Sequence, residues 1–235
     1  MIGAVLQPPL WIELSAVIAG ALAGALFGQK RGLDVIGILA LALVSGLGGG
    51  ILRDVLLSRI PLALQDPWYL WVVAAAALLG AFFAQVVNRL RFGLLLVDAV
   101  SLALFSVIGA QGGLSAGLPI PAAILLGTIT GVGGSVLRDV LVGEAPPRML
   151  RRGPPYAPAA FLGAALYVGL VAGLDVRKVV AQLLAVVLIL LVRGVAQWRG
   201  WESLEPRDLT PSVLRDKRED EARWDRRDHE GGDAS

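Results

Sequence analysis

Stretches of about 20 apolar residues recur along this chain, and they leave few folds open. A helix that crosses a bilayer needs about 20 mostly apolar residues, within a range of about 17–25. Segments 10–28, 68–87, 92–110, 156–174 and 179–198 meet that requirement directly. Segments 33–60 and 118–142 are long enough, but each is interrupted by a glycine cluster and then by Arg-Asp. Those two are expected to be broken helices, the second and fifth of seven spans in an all-α integral membrane protein. Pro8-Pro9, Asp66-Pro67, Pro119 and Pro155 stand where helices are expected to start, since proline in a first turn gives up no hydrogen bond.

Charge supports the same class. Only 17% of residues are charged against 56% hydrophobic, whereas soluble domains carry about 25% charge. Residues 1–198 hold 13 Lys/Arg and 8 Asp/Glu, and residues 199–235 hold 8 and 11. The chain therefore divides into a transmembrane domain, 1–198, and a charged tail, 199–235, expected to be disordered and cytoplasmic with a short helix around 213–224. A net charge of +2 gives no case for nucleic acid. With no cysteine there is no disulfide framework, thiolate metal site or cysteine nucleophile. The lone histidine, His229, falls in the tail. No catalytic constellation, cofactor motif or nucleotide-binding motif stands out, so neither an enzyme nor an ATP-driven pump is expected. The first span carries Glu13 and lacks a basic leader and a small-residue cleavage site, unlike a signal peptide.

Orientation follows from the basic residues of short loops. With the N-terminus outside, inner loops hold Lys30, Arg31, Arg89, Arg91, Arg148, Arg151 and Arg152, and Arg193 and Arg199 flank the last span. Outer loops hold only Arg59, Arg177 and Lys178. The C-terminus is then cytoplasmic. Trp11, Trp68, Tyr69 and Trp71 would form the outer aromatic belt, and Trp198 and Trp201 the inner one.

The chain also repeats itself. GLGGGILRDVLL at 46–57 returns as GVGGSVLRDVLV at 131–142, identical at eight of twelve positions. Sliding residues 10–61 against 95–146, an offset of 85, gives 16 identities without a gap, Pro61/Pro146 among them, and sets Glu13 opposite Asp98. Repeat 1 covers about 10–88, repeat 2 about 92–174, and a seventh helix at about 176–198 lies outside both. Three spans per copy, an odd number, require the copies to insert in opposite directions, the inverted duplication of permeation proteins.

Irregular backbone at membrane depth is tolerated only inside protein or along a water-filled cavity. An ionisable residue there costs about 2.5–3.5 kcal/mol on insertion scales, so it faces the interior and finds a partner. The expected pathway is lined by Gly46, Gly48, Gly49, Gly50, Arg53 and Asp54, and by Gly131, Gly133, Gly134, Ser135, Arg138 and Asp139. Adjacent helix residues do not face one another, so the arginines are expected to pair away from their neighbours: Arg138 with Asp54, Arg53 with Asp139, or either with Glu13 or Asp98. The alternative is that both snorkel to an interface. The series Gly20, Gly24 and Gly28 has the spacing of close helix packing. Together with Gly163 and Gly169 it offers faces for assembly.

The paired GGGILRDVLL and GGSVLRDVLV, each followed by a proline, resemble the bacterial glycine-transporter-domain family, prokaryotic relatives of the trimeric intracellular cation (TRIC) channels. The resemblance spans about 10–198. It implies a seven-helix protomer with its own pore, a homotrimer in the lipid bilayer of the plasma (inner) membrane, and a pathway along the second and fifth helices. Ser135 departs from the pattern where the first copy has Gly50. The family association covers monovalent cation conduction and glycine uptake. A potassium channel is the expectation; the alternative is a secondary transporter for glycine or a similar small zwitterion. Carbonyl ends of broken helices would favour a cation and amide ends a carboxylate. A purely structural membrane protein leaves the doubled motif without a reason.

Overall fold

The computed structural model describes residues 9–89, 93–144, 146–147, 150 and 153–201, with side chains described for all of these except 83–89. Arg89, Arg91, Phe92, Arg148, Arg151 and Arg152, the tail helix expected around 213–224 and His229 lie outside the described side chains. Among the described residues the chain forms α1 (Leu10–Lys30), α2 (Val35–Leu56), a short α3 (Leu62–Gln65), α4 (Trp68–Arg89), α5 (Gly93–Ser115), α6 (Ile120–Leu141), α7 (Ala157–Val168) and α8 (Lys178–Arg199). The end of α7 widens into a π-helical turn, Gly169–Gly173.

Five helices, α1, α2, α5, α6 and α8, are long and apolar enough to cross a membrane; Trp68–Phe82 and Ala157–Gly173 are shorter apolar stretches. Leu39, Leu79, Phe82, Leu125, Leu183 and Leu191 stay exposed on the outside of the bundle. So much apolar surface left open marks a lipid-facing protein. The fold is an all-helical, multi-pass membrane protein.

Helices α1, α2, α5 and α6 form the centre. Helix α4 leans on α1 and α2, α7 leans on α5 and α6, and α8 closes against α5 and α7. Gln182 of α8 donates a short hydrogen bond to Gln111 of α5, satisfying two buried amides. The helix ends repeat a pattern as well. Leu33 N–H reaches Gly28 O and Leu118 N–H reaches Gly113 O, each at 3.0–3.1 Å. Arg59 N–H reaches Asp54 O at 2.8 Å and Glu144 N–H reaches Asp139 O at 2.9 Å. These six-to-one closures satisfy carbonyls that the last helical turn leaves open. They require a left-handed residue, and Gly32, Gly117 and Gly143 supply it with φ of 69°, 76° and 73°. At the fourth closure Ser58 holds φ 54°, where glycine would be unstrained.

The expected breaks do not occur. Helices α2 and α6 run as continuous α-helix through 46–50 and 131–135. The glycines keep their helical hydrogen bonds and lack a Cβ where two helices touch. A Cβ on Gly49 would collide with the Thr130 carbonyl oxygen, and one on Gly134 with that of Ser45. A Cβ on Gly48 would stand 2.9 Å from Leu137 Cδ1, and one on Gly133 2.6 Å from Leu52 Cδ1. As the α2 position rises from 45 to 49, the α6 position falls from 134 to 130, so the two helices cross antiparallel, backbone on backbone. Gly46 serves α1 instead, 2.9 Å from Ala21 Cβ, and Gly131 would meet Ser106 Oγ of α5. Gly50 has only Phe105 Cε1, at 3.9 Å, and the Ser135 hydroxyl donates back to Val132 O at 2.8 Å.

The glycine series of α1 also corrects an expectation. Gly20 and Gly24 sit against Ser45 and Leu41 of α2, Gly28 against Ile38, and Gly163 against Ile189 of α8. These residues pack within the chain; Gly169 has nothing within 4 Å.

Candidate functional site: two buried arginine clusters

Four residues beyond the crossing, each of the two helices carries its arginine into the protein. Arg53 and Arg138 are 5% and 3% exposed, which excludes the reading of both as interface anchors. Arg53 Nη1 donates to Glu13 Oε1 at 2.7 Å, and its Nε donates to Asp54 Oδ1 at 2.8 Å. The Tyr69 hydroxyl donates a short bond to Glu13 Oε2, and Leu62 N–H donates to Asp54 Oδ2 at 2.9 Å. Pro61 explains the last contact: it ends the loop as the N-cap of α3 and so aims the free Leu62 amide at Asp54. Glu13, Gly46, Gly50, Arg53, Asp54 and Tyr69 border a cavity with room for about one water.

The second cluster is built the same way. Arg138 Nη1 donates to Asp98 Oδ1 at 3.4 Å and its Nε to Asp139 Oδ1 at 3.2 Å. Tyr156 hydroxyl reaches Asp98 Oδ1 at 3.4 Å, and Arg193 Nη2 of α8 reaches Asp98 Oδ2 at 3.2 Å. Phe27 lies under Arg138, with the guanidinium 4.7 Å from the ring centre, and Arg31 covers the same ring at 5.1 Å. Gly112 is the counterpart of Phe27 in the other copy, and there the Arg53 stem packs instead, 3.4 Å from where a Cβ would be. An ion pair from Arg31 to Glu144 has no counterpart.

Each arginine is thus paired within its own copy, to the acid 40 residues before it. The crossed pairs Arg138–Asp54 and Arg53–Asp139 do not form. The expectation that Arg and Asp in sequence cannot pair is also corrected. Arginine reaches back along its long stem, and the adjacent carboxylate meets Nε while the fork end meets the distant acid. A buried ion pair is tolerated when further hydrogen bonds complete it, which the tyrosines and the Leu62 amide supply.

Sequence reasoning missed four contributors. Tyr69 is 5% exposed and turns inward to Glu13, not outward into a belt, although Trp11, Trp68 and Trp71 are all exposed. Tyr156 stands 87 residues after Tyr69 rather than 85, so an ungapped alignment hides the match. Arg193 does not flank the last span but lies within α8, and a lone charge in an apolar run was its signal. Phe27 gave none.

Comparison with known proteins agrees with this arrangement. The glycine transporter family profile matches residues 10–85 and again 95–172, the two copies in turn. The chain belongs to the glycine transporter family. Among relatives, it is 38% identical over 200 residues to a UPF0126 membrane protein of Deinococcus radiodurans, covering 85% of this chain and 92% of that one. It is 32% identical over 188 residues to the UPF0126 inner membrane protein YadS of Escherichia coli K12, covering 79% and 90%. Among solved structures, the TRIC trimeric intracellular cation channel orthologue from Rhodobacter sphaeroides superimposes with a TM-score of 0.74 at 34% identity, over 80% of this chain and 97% of that one. A TRIC cation channel solved to explain conductance gives 0.73 at 28%, over 86% and 98%. This glycine transporter family member therefore has the TRIC fold.

Proposed function

We propose that the protein is a TRIC-type cation channel, potassium its principal permeant, with one pore in each protomer of a homotrimer. The observation that carries this reading is the pair of buried arginine–carboxylate clusters on opposite sides of the α2–α6 crossing. Two such clusters within membrane-spanning helices have no evident structural need, because well-packed apolar residues hold helices together at lower cost. As two latches in series along one pathway they have a use: parting an arginine from its carboxylate frees an acidic group for a cation. The fold shared with TRIC cation channels supports the same permeant.

In this reading α1, α2 and α4 form one three-span copy and α5, α6 and α7 its inverted partner, with α8 as the seventh span and 199–235 as a cytoplasmic tail. The N-terminus faces outward, which puts the Arg53 latch toward the outer leaflet and the Arg138 latch toward the inner. The pathway residues are Gly46, Gly48, Gly49, Gly50, Arg53 and Asp54 with Gly131, Gly133, Gly134, Ser135, Arg138 and Asp139, closed by Glu13 and Asp98. The continuous course of α2 and α6 removes the half-helix ends on which either a cation or a zwitterion site would have rested, so the reading stands on the carboxylates instead. Purified protein in liposomes, assayed in parallel for potassium flux and labelled glycine uptake, tests the reading. Potassium flux without saturable glycine uptake is expected, and the reverse result would replace the channel by a carrier.

A further inference from the structure

The two clusters share a plan but not a donor arrangement. On Glu13 the arginine and the tyrosine take separate oxygens, Arg53 on Oε1 at 2.7 Å and Tyr69 on Oε2. On Asp98 both crowd onto Oδ1, Arg138 at 3.4 Å and Tyr156 at 3.4 Å. The oxygen left over, Oδ2, belongs to Arg193 at 3.2 Å. Arg193 also lies over the Tyr156 ring, 4.5 Å from its centre, and together with Ser135, whose side chain hydrogen-bonds Tyr156, holds the tyrosine to one side. Two donors on one oxygen each bind it less closely, and two guanidiniums on one carboxylate divide its charge.

We infer that Arg193 is a positioning residue that keeps the Arg138 cluster loose. By holding Asp98 Oδ2 and confining Tyr156 to Oδ1, it makes Arg138 the readier of the two arginines to let go. Helix α8 stands outside both copies, so it adds to the inequality that Phe27 and Ser135, matched by Gly112 and Gly50 at the other cluster, already give the two latches. The inference rests on the channel reading, in which the clusters must part for a cation to pass.

Potassium currents through single channels in planar bilayers test it. Arg193→Gln removes the competing charge and releases Tyr156 to Oδ2, so Arg138 closes on Oδ1. Open probability is expected to fall roughly five-fold, the order of effect between coupled contacting residues, with unit conductance unchanged. Arg193→Lys keeps a cation on Oδ2 and is expected to stay within about two-fold of wild type. Tyr156→Phe frees Oδ1 without removing a charge and is expected to lower open probability in the same direction. It carries the test alone if the glutamine variant does not fold. An unchanged or raised open probability in Arg193→Gln or in Tyr156→Phe overturns the inference, as does a lysine variant that falls as far as the glutamine one. A wild-type protein that carries no potassium current defeats the channel reading, and this inference with it. A conducting wild type with an unaltered glutamine variant defeats the inference alone.

Discussion

Gly49→Ala asks whether the glycine triplets serve contact or interruption. Alanine in place of a helical glycine gains about 0.8–1.0 kcal/mol of helix propensity, and that gain applies equally to the adjacent Gly50. At Gly50 the new methyl meets only Phe105 Cε1 at 3.9 Å, an ordinary contact, so the gain survives. At Gly49 it meets the Thr130 carbonyl oxygen, a backbone atom that no rotamer change can remove. Overpacking costs about 1–3 kcal/mol and more where the obstacle is rigid, which puts Gly49→Ala about 2 kcal/mol below wild type and about 3 below Gly50→Ala. Every 1.4 kcal/mol is a factor of ten, so the two unfolding constants should differ by roughly a hundredfold. Unfolding of the purified protein in mixed micelles, followed by tryptophan fluorescence, measures the difference. Gly134→Ala should behave as Gly49→Ala does, because the Ser45 carbonyl stands in the same relation to it. If Gly49→Ala proves as stable as Gly50→Ala, α2 and α6 do not meet backbone to backbone, and the packing account fails.

Arg53→Ala leaves the buried Glu13 without its cation and should cost about 3–5 kcal/mol; Arg138→Ala should cost less, because Arg193 still holds Asp98, and Arg177→Ala, at a loop, should cost little. Neutralising the acid as well, as in Arg53→Ala with Glu13→Gln, should recover part of the loss in the same unfolding assay. Ser58→Gly removes the left-handed strain at φ 54° and should raise stability by about 1 kcal/mol; no gain would mean that the serine is unstrained there. Native mass spectrometry in mild detergent should show a trimer, and monomers or dimers alone would refute the proposed assembly.

Much of this fold was legible from periodicity and hydropathy. Helix α1 starts at Leu10 and α4 at Trp68, as their apolar runs and preceding prolines require. Glu13 and Asp98 were legible as acids inside spans, and the offset of 85 already matched them. What stayed hidden was which surfaces meet. A glycine triplet reads the same whether it loosens a helix or lets another helix approach, and only the opposing Thr130 and Ser45 carbonyls decide between the two. Tyr69 looked like its tryptophan neighbours because an aromatic ring near a helix start suits an interface as well as a buried carboxylate. Arg193 was misplaced for a simpler reason: it stands six residues before the end of α8, close enough to be read as a flank.

The antiparallel crossing of α2 and α6 has a mechanical consequence. Arg53 and Arg138 each stand four residues past the glycine that touches the opposite backbone, about 6 Å along the axis at 1.5 Å per residue. Because the helices run in opposite directions, the two arginines occupy opposite arms of one pivot, at equal radius. At the contact itself Gly49 and Gly134 present no side chain, while Leu52 and Leu137 lie over Gly133 and Gly48 beside it. A rotation of α2 about that contact swings Arg53, and a rotation of α6 swings Arg138. The two arginine clusters therefore share one fulcrum while each rides on its own helix.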